Sequence, residues 1–201
     1  MFYEPESRDK ILLPHDPFKA MVAPRPIGWI STRSLAGAVN LAPYSFFNAI
    51  GGNTPLLAFS SEGAKDSATF AEESGEFVWN MASFPLRQAM NASSATLERG
   101  ASEFDFAGLE AAPCVKVKAP RVAASPCSLE CRVTEIVRLK NIDGAPTGAI
   151  LTIGQVVGVH IDPAFLRDGR FDLRAAQPIL RCGYTADYAT IGDLFQMRRP
   201  R

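Results

Sequence analysis

The segment Ser60-Ser-Glu-Gly-Ala-Lys-Asp-Ser67 gathers the residue types that a phosphate needs. It leaves an apolar run that reads as a strand, turns through Gly63 and enters a helix. A helix N-terminus offers unpaired N–H groups and a positive dipole end, both suited to an anion. Lys65 adds a cation, and the hydroxyls of Ser60, Ser61 and Ser67 add donors. The same residues also describe a capped helix carrying a solvated lysine. Upstream, Asn40-Leu-Ala-Pro-Tyr-Ser-Phe-Phe-Asn48 sets amides and hydroxyls among aromatics, inside a stretch from Ser34 to Ser61 that holds no charged residue. A flat heteroaromatic ring wants such a wall, with apolar faces and a few fixed donors. Core aromatics with satisfied amides fit the same pattern.

Other chemistries are poorly supplied. The chain has no Gly-x-Gly, so the dinucleotide fingerprint of a Rossmann domain is missing, and no Gly-Lys, so there is no Walker loop. It also lacks His-Glu-x-x-His and Gly-x-Ser-x-Gly, and His15 and His160 are its only imidazoles. An enzyme built from these residues takes its reactive group from a borrowed cofactor. The four cysteines are Cys114, Cys127, Cys131 and Cys182. Cys127 and Cys131 share a strand-like segment, which holds their Cα atoms roughly 13 Å apart, beyond disulfide reach. With two distant histidines a zinc site has little support, so no metal is expected, and the cysteines read as reduced, small hydrophobes.

The elements that must position these residues are mostly strands. Short apolar runs at Pro26–Thr32, Ala38–Ala42, Leu56–Ser60, Phe77–Met81, Val115–Lys118, Leu129–Leu139 and Ala149–Ile161 are separated by turn residues, among them Asn141-Ile-Asp-Gly144. Helices are few. Asp66–Ser74 has Asp66 and Ser67 as candidate caps and Gly75 as its stop. Pro85 to about Ser94 begins on proline and carries an apolar face. Asp162-Pro163 opens a short third. Many closely spaced strands with small inserted helices describe a mainly-β barrel. Composition agrees: 201 residues suit one domain, and 47% hydrophobic with 21% charged is ordinary for a globular chain. The 21 basic and 21 acidic residues cancel, so no strong field draws nucleic acid or anionic lipid. The prolines, asparagines and Gly51-Gly52 in the uncharged stretch argue against a membrane span, and the N-terminus lacks a signal-peptide pattern. A cytoplasmic protein is expected.

Six motifs in register resemble the flavin reductase-like proteins with an FMN-binding split barrel, in the branch of nitrilotriacetate monooxygenase component B and flavoredoxin. They are Pro24-Arg-Pro-Ile-Gly-Trp-Ile-Ser-Thr32, Asn40 to Asn48, Lys65-Asp-Ser67, Glu76-Phe-Val-Trp-Asn80, Glu103-Phe104 with Gly108-Leu109, and Ser128-Leu-Glu-Cys131. The resemblance covers roughly Val22 to Tyr188 and implies one domain over 1–201, a six-stranded Greek-key barrel, a homodimer, and FMN near the dimer interface. Carried over by position, it places Ser31 and Thr32 along the flavin. Ser45, Phe46, Phe47 and Asn48 fall at the ring edge and ribityl chain. Ser60, Ser61, Lys65 and Ser67 fall at the phosphate, and Asn80 near the ribityl group. His160, at the end of its strand, either approaches the open flavin face or merely caps the strand. The implied activity is NAD(P)H-dependent reduction of FMN, with hydride passing from the nicotinamide to the flavin and then electrons or reduced flavin to a partner monooxygenase or other acceptor. The alternative is an FMN-binding electron carrier or storage protein without reductase turnover.

Overall fold

The computed structural model describes residues 1–98 and 101–200. Its main sheet has seven strands: β1 (Gly28–Arg33), β2 (Val39–Tyr44), β3 (Phe47–Gly51), β4 (Leu56–Glu62), β5 (Glu76–Asn80), β6 (Cys127–Lys140) and β7 (Pro146–Ile161). Their spatial order is β2-β1-β5-β6-β7-β4-β3, and every neighbouring pair is antiparallel. The two edge strands, β2 and β3, are consecutive in the chain and joined only by Ser45 and Phe46. Such a link reaches about 11 Å. A flat sheet of this size would hold its edges roughly 29 Å apart. The sheet therefore curls on itself, closed where Ser45 and Phe46 join the edges.

Aromatic contacts between non-adjacent strands mark the inside of the curl. Phe47 of β3 stacks on Trp79 of β5, with centroids 5.8 Å apart and planes 6° from parallel. Phe59 of β4 meets Phe77 of β5 edge-on at 5.3 Å. Ile30, Leu57 and Cys131 join this cluster, and Ala71 of helix α1 (Asp66–Ser74) packs into it. The opposite face carries Trp29 and Leu41, covered by Met90 of α2 (Arg87–Ala92) and Phe104 of α3 (Glu103–Phe106).

The sheet counts seven strands where the resemblance implies six, because the chain leaving β2 pairs again almost at once as β3. A second difference is larger. Val115–Lys118 alternates like a strand but is a loop. Its N–H groups bond carboxylates of distant residues instead of a neighbouring strand.

Candidate functional site

A groove of about 380 Å³ opens along the free edge of β2, between the start of α1 and the 93–97 segment. An edge strand leaves backbone groups unpaired, and Glu103 answers one of them. Its Oε2 accepts the Leu41 N–H at 3.0 Å, while Oε1 accepts from Asn40 Nδ2 at 3.1 Å. The Asn40 Oδ1 in turn accepts from the Ser67 hydroxyl. A continuous chain of hydrogen bonds thus ties α3, β2 and α1 together around the groove.

That chain has a consequence for α1. Asp66 and Ser67 were expected as caps, but the N-cap residue is Lys65 and it makes no side-chain capping bond. Ser67 has turned its hydroxyl to Asn40 instead. The helix thus begins with neither Lys65 nor Ser67 capping it, at the groove wall. N–H groups and dipole there favour a negatively charged occupant. Burial pushes the Tyr44 phenol up, against hydrogen bonding with Ser67 and Ser61 that lowers it. Burial also pushes the Glu103 carboxyl up, opposed by its bonds to Leu41 and Asn40 and reinforced by the charge of Asp66. The groove lining therefore holds hydroxyl and amide groups, the cation Lys65, and two acids: Asp66 in the first turn of α1, and Glu103, whose carboxylate is committed to internal bonds.

A second polar assembly lies on the outer face of the sheet. Asn80 Nδ2 donates to Trp29 O at 3.2 Å and Ser31 Oγ at 3.1 Å, and its Oδ1 accepts from Val122 N at 2.8 Å and Ser128 Oγ at 2.9 Å. The Ser31 hydroxyl donates to Pro120 O at 2.5 Å. Further along this face, Glu130 is almost wholly buried and receives the N–H groups of Val115, Lys116 and Val117, while His160 Nε2 stands 2.5 Å from its Oε1. Burial alone would raise Glu130, but the four hydrogen bonds outweigh it and hold the carboxyl below its usual range. Burial and the Glu130 charge push the nearby Cys114 thiol up to about 12.

A family model described as "Flavin reductase like domain" matches residues 21–172. The chain belongs to this flavin reductase-like family. An uncharacterized protein of Halalkalibacterium halodurans is 35% identical over 184 residues, covering 89% of this chain and 87% of the relative. The nitrilotriacetate monooxygenase component B of Bacillus cereus has a similar structure, with TM-score 0.89, 26% identity and 98% of each chain covered. Flavoredoxin of Desulfovibrio vulgaris (Miyazaki F) shares the fold at TM-score 0.78 and 19% identity, over 88% of this chain and 91% of that one.

The residues expected to hold cofactor in this flavin reductase-like chain divide into three groups. Lys65 and Ser67 line the groove. Ser61 is buried beside it, donating to Gly63 O at 2.9 Å, and the Ser60 N–H donates to Phe46 O at 2.8 Å. Ser45 and Phe46 form the half-buried link between the edge strands, with Lys19 Nζ 5.6 Å from the Phe46 ring centroid. Asn48 is exposed and its Oδ1 accepts the Ala49 N–H. The second group is interior: Phe47 is a core ring, and Thr32 is fully buried with no partner for its hydroxyl. The third group, Ser31, Asn80 and His160, belongs to the outer-face assemblies, with their polar atoms engaged there. Asn40 and Tyr44 fall within the amide and aromatic wall expected from the sequence but were given no role of their own, and Glu103 was noted only within a family motif. Asn40 and Tyr44 stand on one face of an alternating strand, which was a usable signal. Glu103 gave none, since its partners lie about sixty positions upstream.

Proposed function

We propose that the groove between β2 and α1 binds FMN and that the protein is an NAD(P)H-dependent FMN oxidoreductase. The observation that carries this reading is the N-terminus of α1, which opens on the groove at Lys65, an N-cap residue that makes no side-chain capping bond. The residues fit a phosphorylated flavin. Lys65 and the first-turn N–H groups would hold the phosphate, and Ser67 would keep the helix start in place through Asn40. Pro43 and Tyr44 offer apolar surface to a ring. Thr32 pairs with Asn40 across the ladder, so its orphaned hydroxyl lies on the same side of the sheet as the groove's polar wall. Ser45, Phe46, Asn48, Ser60 and Ser61 extend this wall around the link. Ser31 and Asn80 serve it by stiffening β1 and β5 from behind.

The bound flavin supplies two-electron redox chemistry; the chain binds, orients and shields. Reduction by NADH or NADPH would need only a nicotinamide stacked on the open ring. The Bacillus cereus neighbour's name, component B of a monooxygenase, supports delivery of reduced flavin or electrons to a monooxygenase or similar acceptor. Exposed Val137, Val159 and Ile161 on the long strands β6 and β7 support a homodimer. Sedimentation at micromolar concentration tests that assembly, and a flavin-loaded monomer would contradict it. Anaerobic mixing of the FMN-loaded protein with NADH and with NADPH tests the activity. Bleaching of the flavin by either donor is expected. Tight FMN binding without bleaching by either would make the protein an electron carrier or flavin store instead.

A further inference from the structure

Three side chains far apart in sequence converge on the outer face of the sheet. Glu130 of β6 pairs with Gly158 of β7, and Ser128 pairs with His160, so Glu130 and His160 are diagonal neighbours on one face. Gly158 makes room for the carboxylate: a Cβ there would stand 3.0 Å from Glu130 Cδ. Cys114 arrives on the loop crossing this face. One ligand atom from each of Cys114, Glu130 and His160 lies within 4.8 Å of the other two.

We propose that Cys114, Glu130 and His160 bind a zinc-like divalent cation that fastens the 114–117 loop to the sheet. A thiolate, an imidazole and a carboxylate form a ligand set that suits zinc and disfavours magnesium and calcium, which take oxygen ligands. Bonds of about 2.0–2.3 Å place tetrahedral ligand atoms roughly 3.3–3.8 Å apart. The observed cluster needs only a small adjustment to reach that spacing. His160 must draw back from its 2.5 Å contact with Glu130, and its side chain, 23% exposed, has the freedom to do so. That exposure also leaves a path for a water as fourth ligand. Glu130 stays fixed by its three backbone N–H bonds.

Charge favours a cation. Glu130 and Glu76 act on Cys114 as negative neighbours and Arg121 as a positive one, leaving the surroundings net negative. On binding, the S–H bond of Cys114 breaks, its proton goes to solvent and the sulfur bonds the metal. His160 ligates through a bare Nε2 with its ring proton on Nδ1. No electrons are transferred. The ligand charges then neutralise the divalent ion, which matters for a site this deep.

The proposal stands apart from the flavin reading and is tested without it. Chelator-treated full-length protein is titrated with Zn²⁺ and, separately, with Co²⁺. One ion should bind per chain, Co²⁺ should produce a thiolate-to-metal absorption in the near ultraviolet, and Zn²⁺ should displace it. Cys114→Ser should abolish that absorption, and Cys114→Ser and His160→Gln should each weaken Zn²⁺ at least about tenfold. Cys127→Ala and Cys182→Ala should change neither. Zn²⁺ should also raise the melting temperature of the parent and not of His160→Gln, a part-exposed position whose replacement spares the fold. No uptake below about 1 mM, or thiolate absorption unchanged in Cys114→Ser, would overturn the site.

Discussion

Lys65→Ala isolates what the phosphate contributes to flavin binding. Lys65 is exposed at the groove rim, so its bond to a phosphate is partly screened by solvent. A charged hydrogen bond contributes about 1.5–3 kcal/mol, and exposure places Lys65 near the lower end. The start of α1 adds about 0.3–1 kcal/mol for an anion at a helix N-terminus. Together these favour FMN over riboflavin by about 2–3 kcal/mol, or roughly 30- to 150-fold. In Lys65→Ala only the helix contribution survives, so the preference should fall to roughly two- to fivefold. Riboflavin affinity itself should not move, because no part of it reaches the lysine. Titrations followed by flavin fluorescence, for both flavins and both proteins at one salt concentration, measure all four values. Equal affinity of the parent for the two flavins would refute the phosphate site. So would a variant that weakens both flavins alike, since that pattern means a distorted groove instead of a lost charge.

Asn80→Ala should lower unfolding stability by about 2–4 kcal/mol in urea titrations, because Val122 N and the Ser128 hydroxyl lose a buried acceptor. Its FMN affinity should stay near the parent's, whereas a large loss of FMN with a stable fold would move Asn80 into the flavin site. Gly154→Ala should cost about 1–3 kcal/mol, since its Cβ would stand 2.4 Å from the Phe77 ring and 3.1 Å from Arg132 O. An unchanged melting temperature would show that the interior cluster yields easily. Glu103→Gln should flatten part of the pH dependence of stability. The folded carboxyl is raised by burial, so its contribution is complete below the ordinary value of about 4.3 and is lost as pH rises through the folded value. Melting temperatures across that window should decline less in the variant, and identical slopes would count against a raised carboxyl.

What local pattern could show, and what it could not, is clear at α1 and at the 115–118 loop. The end of α1 was legible because Gly75 takes the left-handed conformation a C′ residue needs, with φ +72°. Its first residue, Asp66, was legible too, but its capping was not. A serine in the first turn looks like a cap, yet Ser67 spends its hydroxyl on Asn40, 27 positions away. The alternation at Val115–Lys118 resembles a strand for a similar reason. Backbone N–H groups need acceptors, and sequence does not say whether a neighbouring strand or a distant carboxylate will supply them. Here Glu130 and Glu76 do. The same remoteness hid the Cys114, Glu130 and His160 cluster, because cross-strand neighbours have no fixed sequence spacing. The long hairpin of β6 and β7 was readable from its apolar runs and turn, but the bulges that set its register were not.

The position of the groove follows from the same link that curls the sheet. Because Ser45 and Phe46 join the two edge strands at one end only, the edges part beyond it and β2 keeps an open side. An open edge invites pairing with another chain unless something covers or charges it. Glu103 does both for Leu41, accepting its N–H and placing a carboxyl where an incoming strand would need to pair. The cost is a buried acid, visible in its raised carboxyl, and Asn40 offsets part of it. Asn40 then needs a donor for its own oxygen and takes it from Ser67, which draws that hydroxyl away from the start of α1, where the N-cap residue Lys65 makes no side-chain capping bond. Protection of the edge and exposure of an anion-seeking helix terminus are therefore two ends of one hydrogen-bond chain. Removing Glu103 should weaken anion binding at Lys65 without touching it, through Asn40 and Ser67 turning back toward the helix.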